Sequence, residues 1–325
     1  MKGAFTSWPD AKPARSGQNE HVAFEVPVVN AASLAAWCDV YLGSPVAGEL
    51  FRSGHLASVI GARLADGRQV VVKVRPAAPR TAACTEVQRR LFESGYPCPQ
   101  PLTGPAPLDG YEATAESYVP GEATLPGSGR AARPFAAALA QLVDLAPRPG
   151  QVPSLAPAPA WTAWNHDQGG LWPWPDDQDV NLNEVESPGW IDAAGQAARQ
   201  RLLDGHGRTV IGHGDWFTDN LRWHGNRLQV AYDWDSLIAD SEPVIAGLAA
   251  AIYPMPATVP ETRDFLAAYA AARGRPFSPG ELQRCWAAGV WTRAFDAKKE
   301  CAAGRPVTSL THGEARERLR RAGLR

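Results

Sequence analysis

The sequence predicts an α+β protein in two lobes, β-rich at the N-terminal side and helical at the C-terminal side. Three observations carry this. Strand-like apolar runs with turn residues between them dominate the first ~120 residues. A Gly/Ser/Pro-rich stretch from Pro120 to Gly129 then interrupts the pattern. Beyond it, apolar residues recur mainly at helical spacing. The expected organisation is a polar lead-in over 1–30, an N-lobe over 31–119, and a C-lobe over 120–325. A Pro- and Trp-rich insert occupies 147–190 of the C-lobe.

Taken in order, residues 31–42 read as a helix, with Asn30 or Ser33 as cap and Gly43 as stop. Strands are expected at 59–64 and 69–74, turning at Asp66-Gly67. A helix follows at 81–94 and ends before Gly95. Two further strands are expected near 101–103 and over 111–119. In the second half, helices are expected at 130–146, 190–203, 244–252, 261–273, 279–302 and 312–322. Within that half, Val210-Ile211 forms an apolar strand. A hairpin of 221–223 and 228–232 follows, turning at Gly225-Asn226.

Composition narrows the function. The 325 residues carry 32 Lys+Arg against 34 Asp+Glu, a net charge of −2, which argues against a dedicated nucleic-acid binder. No run reaches the ~18 apolar residues of a membrane span. Met1 to Gln18 lacks the apolar core of a signal peptide, so a cytoplasmic location is expected. Five scattered cysteines with no C-x-x-C pair suggest reduced thiols. His206, His213 and His224 lack the companions of a zinc site. A monomer or a homodimer is the expected assembly.

The most specific pattern is Val210-Ile211-Gly212-His213-Gly214-Asp215, then Asn220, then Val230-Ala231-Tyr232-Asp233-Trp234-Asp235. A strand opens into a loop bearing Asp215 and, five residues later, Asn220. The hairpin then returns Asp233 to the same end. Two carboxylates and an amide oxygen are a donor set suited to Mg²⁺, and a carboxylate left off the metal can take a proton from a hydroxyl. Upstream, Lys73 projects from the strand Val70-Val71-Val72-Lys73-Val74. A half-buried ammonium there needs an anionic partner, although a strand-edge lysine can instead reach water along its own stem.

His-Gly-Asp-x-x-x-x-Asn followed by Asp-Trp resembles the aminoglycoside phosphotransferase-like family, small-molecule kinases with a protein-kinase-like fold. The similarity runs from about residue 45 to 250. It implies that Asp215 orients or deprotonates the acceptor hydroxyl and that Asn220 and Asp233 hold Mg²⁺. It makes His213 a brace for the loop. It implies that Lys73 meets ATP phosphates and pairs with Glu86 of the following helix, with Glu93 as the alternative. Ser53-Gly54 would belong to the loop covering the phosphates, and Glu116 to Glu122, with Tyr118, to the inter-lobe hinge beside adenine. The expected cofactors are ATP and Mg²⁺. The expected partner is a small-molecule acceptor, either an antibiotic or a metabolite alcohol or amino sugar.

The chain departs from the family in two places. The phosphate loop has one glycine, and the acidic residue that commonly stands a few positions after an Asp-Pro downstream of the metal aspartate has no counterpart in Asp240-Ser241-Glu242-Pro243-Val244-Ile245-Ala246-Gly247-Leu248. A non-catalytic nucleotide-binding protein and a protein kinase are the rival readings. Retention of Lys73, Asp215, Asn220 and Asp233 opposes the first. Pro243, ten residues after Asp233, leaves little room for the peptide-docking segment of the second. Within the insert, Trp161, Trp164, Trp172, Trp174 and Trp190 accompany Asp167, Asp176, Asp177 and Asp179. The rings either anchor an irregular loop or help line an acceptor pocket.

Overall fold

The computed structural model describes residues 26–121, 123–125, 131–205 and 207–324. Most of the lead-in, Glu122 of the hinge segment, 126–130 of the crossing stretch and His206 lie outside the described residues.

Helix α1 (Ala31–Leu42) begins where Asn30 Oδ1 accepts from the Ala32 N–H at 2.8 Å, and ends at Gly43 in the left-handed region. Five antiparallel strands follow in the spatial order β1-β2-β3-β5-β4. They are β1 (Val46–Gly54), β2 (Ser58–Leu64), β3 (Gln69–Arg75), β4 (Ala106–Leu108) and β5 (Tyr111–Ser117). The first is a strand the sequence did not announce. Its pattern is mostly exposed, with no apolar alternation to read. The strand expected near 101–103 lies instead at 106–108, and Pro101 makes only an isolated bridge to Glu116.

Leu34, Trp37, Cys38 and Leu42 of α1 bury one face of this sheet together with Ile60, Val70, Val72 and Val74. Val29, inside the expected polar lead-in, joins them. Alternation along β3 then sends Val71, Lys73 and Arg75 to the opposite face.

Helix α2 (Thr81–Glu93) belongs to a different core. Its Ala83, Cys84, Val87 and Leu91 pack into the large cluster of the helical half. That half contains α3 (Ala132–Leu145), α4 (Gly189–Leu203), α5 (Glu242–Ile252), α6 (Val259–Ala272), α7 (Pro279–Ala302) and α8 (His312–Arg321). Thr258 with Glu261, and Ser278 with Glu281, form capping boxes that start α6 and α7.

Two short ladders sit among the helices. One pairs β6 (Thr209–His213) with β9 (Leu237–Ser241), and the other pairs β7 (Leu221–His224) with β8 (Arg227–Ala231). β9 is a second unannounced strand. Its five residues exist because β6 needs a partner. No helix among the described residues is long and apolar enough to cross a membrane.

Helices α5 and α7 approach so closely that a Cβ built on Gly247 would lie 2.2 Å from the Cys285 carbonyl oxygen and 2.6 Å from its Cα. Backbone cannot yield there as a flexible side chain would. Gly247→Ala is expected to destabilise the chain by about 2 kcal/mol. Urea denaturation checks this: the midpoint should fall with the slope unchanged.

Candidate active site

The loop after β6 is built from polar contacts inside an apolar shell. His213 is fully buried, its ring edge-on to Trp216 and Trp234 with centroids 5.6 and 5.8 Å away. Its Nδ1 accepts from the Asp215 N–H at 3.2 Å, so Nε2 carries the hydrogen and donates to the Tyr232 carbonyl at 3.0 Å. Burial lowers its pKa and keeps the imidazole neutral. His213 thus links the Asp215 loop to the residue before Asp233, which is the bracing role the sequence suggested. Trp161 of the insert donates from Nε1 to the Gly214 carbonyl at 3.1 Å and ties the loop from the other side.

Asn220 Nδ2 donates to both the Asp215 carbonyl and Asp215 Oδ2, each at 2.9 Å. This fixes the amide and leaves Asn220 Oδ1 and Asp215 Oδ1 accepting no hydrogen bond among the described residues. Asp233 sits at φ 59° and ψ 51°, left-handed backbone that Asp tolerates better than most side chains. Ser236 Oγ donates to its Oδ2 at 2.7 Å. This turn carries the chain from β8 into β9 and leaves Asp233 within electrostatic reach of Asp215. Burial, then the nearby Asp233 charge, push the Asp215 carboxyl up to about 7, and the Asn220 hydrogen bond opposes the rise.

Lys73 faces this loop from the sheet. Burial works against its charge, but Glu116, Asp235 and Asp233 outweigh that and raise its pKa. Asp233 is thus within electrostatic reach of both Lys73 and Asp215. The partner expected for Lys73 is different. Glu86 is held by Arg89 at 2.8 Å and by Arg90 at 2.7 Å, and Glu93 is held by Arg89. The carboxylate beside Lys73 is Glu116, with Oε1 3.6 Å from Nζ. Glu116 was expected beside adenine, but it lies on β5 with its side chain turned into the sheet face shared with Lys73.

The other expected residues are placed as follows. Ser53 and Gly54 end β1 at the hairpin into β2, where Gly54 pairs with Ser58. Tyr118 follows β5, its N–H donating to the Gln69 carbonyl at 3.0 Å. The hinge segment is pinned to the β7–β8 hairpin: Tyr232 Oη donates to the Val119 carbonyl at 2.7 Å and Trp223 N–H to that of Ala123 at 2.8 Å.

Among the described residues no group of three or more His, Cys, Asp or Glu side chains is placed to hold a metal. A two-donor site is different. Asn220 Oδ1 and the Asp233 carboxylate are the two hard oxygens that could hold a Mg²⁺ keeping its waters and a substrate's phosphates.

A model of the phosphotransferase enzyme family matches residues 48–285. The chain belongs to that family. It is a small-molecule kinase, transferring phosphate to a hydroxyl. Solved structures share the fold of this kinase at low sequence identity. Amicoumacin kinase hAmiN, in complex with AMP-PNP, Ca²⁺ and Ami, has a TM-score of 0.57 at 11% identity, covering 85% of this chain and 86% of that one. Macrolide 2'-phosphotransferase MphH from Brachybacterium faecium has 0.54 at 18%, covering 90% and 96%. A choline/ethanolamine kinase family protein from Mesorhizobium loti has 0.52 at 17%, covering 90% and 92%. A search of curated proteins found no match.

The insert of this kinase has two roles. Trp164 and Trp172 are buried, Trp172 against Trp291 and Phe295, and they anchor the segment. Asp177 reaches Lys299 of α7 at 2.6 Å and lies 3.7 Å from His55, next to the β1 hairpin. On α7, Asp296 is pushed by burial up to about 6 and acts on Asp215 through space. Neither Asp296 nor Gln88, whose Nε2 donates to Glu116 Oε2 at 2.8 Å, was singled out by sequence. An acid four residues before a glutamate on a helix reads as an exposed face, and a Gln carries no charge to notice.

Asp215 has a pH signature. Unfolded, its carboxyl releases a proton near 3.8; folded, near 7. Between these values the unfolded chain binds fewer protons, so the contribution of Asp215 to stability falls as pH rises and levels off above 7. Asp215→Asn removes the titration. Without added metal or nucleotide, the variant should melt increasingly above the wild type from pH 4 to 7, as thermal scans across that range would show.

Proposed function

We propose that the chain transfers the γ-phosphoryl group of ATP, with Mg²⁺, to the hydroxyl of a small molecule. One observation carries the reading: a carboxylate with a proton affinity near neutrality, Asp215, is hydrogen-bonded to Asn220 and lies in the field of Asp233. Phosphoryl transfer asks for positioning and charge stabilisation more than covalent help.

In this reading Asp215 Oδ1 accepts the acceptor's proton while the acceptor oxygen attacks the γ-phosphorus. The bond from that phosphorus to the bridging oxygen of ADP breaks. Asn220 and Asp233 would hold Mg²⁺, which supplies positive charge to the phosphates. Lys73 neutralises phosphate charge from the sheet side, and the hairpin carrying Ser53 and Gly54 covers it. Tyr118 and the hinge backbone lie on the side proposed for the base.

Asp296 and Trp161 flank the Asp215 loop and suit an acceptor with amino as well as hydroxyl groups. The fold is shared with proteins named for a macrolide, for amicoumacin and for choline or ethanolamine, so both antibiotics and metabolite amino alcohols belong in the acceptor panel.

Purified protein with Mg-ATP and such a panel should yield a product heavier by one phosphoryl group, read by mass spectrometry. Transfer to no hydroxyl in a broad panel, with nucleotide still bound, would favour the non-catalytic reading. Asp215→Ala should lower transfer by about 10²–10⁴-fold while nucleotide still binds. Asn220→Ala and Asp233→Ala should each raise the Mg²⁺ concentration needed for half-maximal rate, and an unchanged requirement would remove them from the metal site.

A further inference from the structure

In protein kinases the strand lysine takes its carboxylate from a helix. Here the helix position that faces the lysine is Gln88, and the carboxylate has moved to the sheet. Glu116 uses both oxygens. Oε1 lies 3.6 Å from Lys73 Nζ, and Oε2 accepts from Gln88 Nε2 at 2.8 Å. The second hydrogen of that amide goes to the Pro99 carbonyl at 3.0 Å, so the orientation of Gln88 is fully determined. All three side chains are largely buried, Lys73 at 11% and Glu116 at 9% exposure, with Gln88 at 5% as a whole residue.

The surroundings explain why Lys73 needs holding. Asp233 and Asp235 also attract its ammonium, and Arg75, two residues along the same face, repels it. Arg75 is itself engaged by Asp235 and by Thr114 Oγ1, the latter at 2.6 Å. Without Glu116, the nearest remaining negative charges lie on the Asp233–Asp235 turn, and an ammonium drawn there would neutralise the proposed metal site instead of meeting phosphate. Lys73 and Glu116 share one antiparallel ladder, Val71 opposite Glu116 and Lys73 opposite Thr114, so their separation is set by strand register. Gln88 sits on α2, whose apolar face packs into the core of the helical half. The amide therefore ties the lysine–carboxylate pair to the other lobe.

We propose that Glu116 is the positioning residue for Lys73, that Gln88 holds Glu116 through its amide, and that this relay poises the lysine for a nucleotide triphosphate without any helix carboxylate. The inference rests on the nucleotide-binding reading above and deepens it.

Moving the charge back to the helix tests it. The probe is the Mg²⁺ complex of a non-hydrolysable ATP analogue, titrated by calorimetry, so no acceptor is required. Glu116→Gln is expected to weaken binding about tenfold, the scale of one lost charge-assisted contact. Gln88→Glu alone sets two carboxylates at hydrogen-bond distance and is expected to weaken it by a similar factor. The double exchange Gln88→Glu/Glu116→Gln restores one carboxylate and one amide and should recover wild-type affinity to within about threefold. A packing role would make the two losses add. Gln88→Ala, with melting curves for all variants, is a second probe and should weaken binding while the fold persists. Wild-type affinity in Glu116→Gln, or a double exchange no tighter than either single change, overturns the relay alone. A wild-type chain that binds no nucleotide overturns the relay and the function together.

Discussion

Holding the Asp215 and Asp233 carboxylates in one another's field is electrostatically unfavourable, and much of the surrounding structure acts on that constraint. Burial, and then the nearby Asp233 charge, raise the proton affinity of Asp215, whose carboxyl is pushed up to about 7. The arrangement persists because the backbone around it is over-determined. His213 ties the Asp215 N–H to the Tyr232 carbonyl, Asn220 grips Asp215 twice, and the Gly214 N–H donates to the Ser236 carbonyl at 2.7 Å. Gly214 has little room for anything larger, since an added Cβ would stand 3.1 Å from that same carbonyl. The left-handed backbone at Asp233 is retained within this frame. The unfavourable term that makes a proton acceptor available near neutral pH is thus offset by hydrogen bonds that do no chemistry themselves.

Most of the architecture was legible in the chain because it is written in local chemistry. Asn30 and Gly43 bracket α1, Asp66-Gly67 turns β2 into β3, and Pro279 with Ser278 and Glu281 starts the longest helix. The loop proposed to carry the chemistry is gathered for a different reason: His213, Asp215, Asn220 and Asp233 fall within 21 residues, so bringing them together needs one hairpin and no long-range docking.

What was not legible depends on pairing between distant segments. β1 has no alternation to reveal it, and β9 forms only because β6 lies beside it. The lysine's partner failed for the same reason. Glu86 is at the right sequence distance on the right helix, but α2 turns it outward toward Arg89 and Arg90. The position that reaches the sheet is the buried Gln88, whose amide donates to Glu116. Helix phase decided the outcome, and two residues of offset are about half a turn. The insert was ambiguous for good cause, since its tryptophans divide: Trp172 packs as core, while Trp161 touches the backbone next to Asp215.

Seen from the lobe boundary, the polar contacts have a common logic. Arg75 on β3 engages Asp235, Arg80 donates to the Leu237 carbonyl, and Gln88 on α2 bonds to Glu116 on β5. Each joins sheet or α2 to the segment around Asp233, or α2 to the sheet. An apolar seam there would fuse the lobes and exclude a triphosphate. Directional, charge-assisted contacts instead hold a polar cleft in register while leaving it wettable. The Arg75–Asp235 contact is the one ion pair among the three. The Arg75 guanidinium and the Lys73 ammonium overcome the effect of burial and hold the Asp235 carboxyl down at about 2, so the bridge stays ionised across the range in which Asp215 titrates. Burial and the Asp233 charge raise Asp215 while Arg75 and Lys73 lower Asp235, so a proton can be taken up at the loop while the Arg75–Asp235 bridge stays ionised.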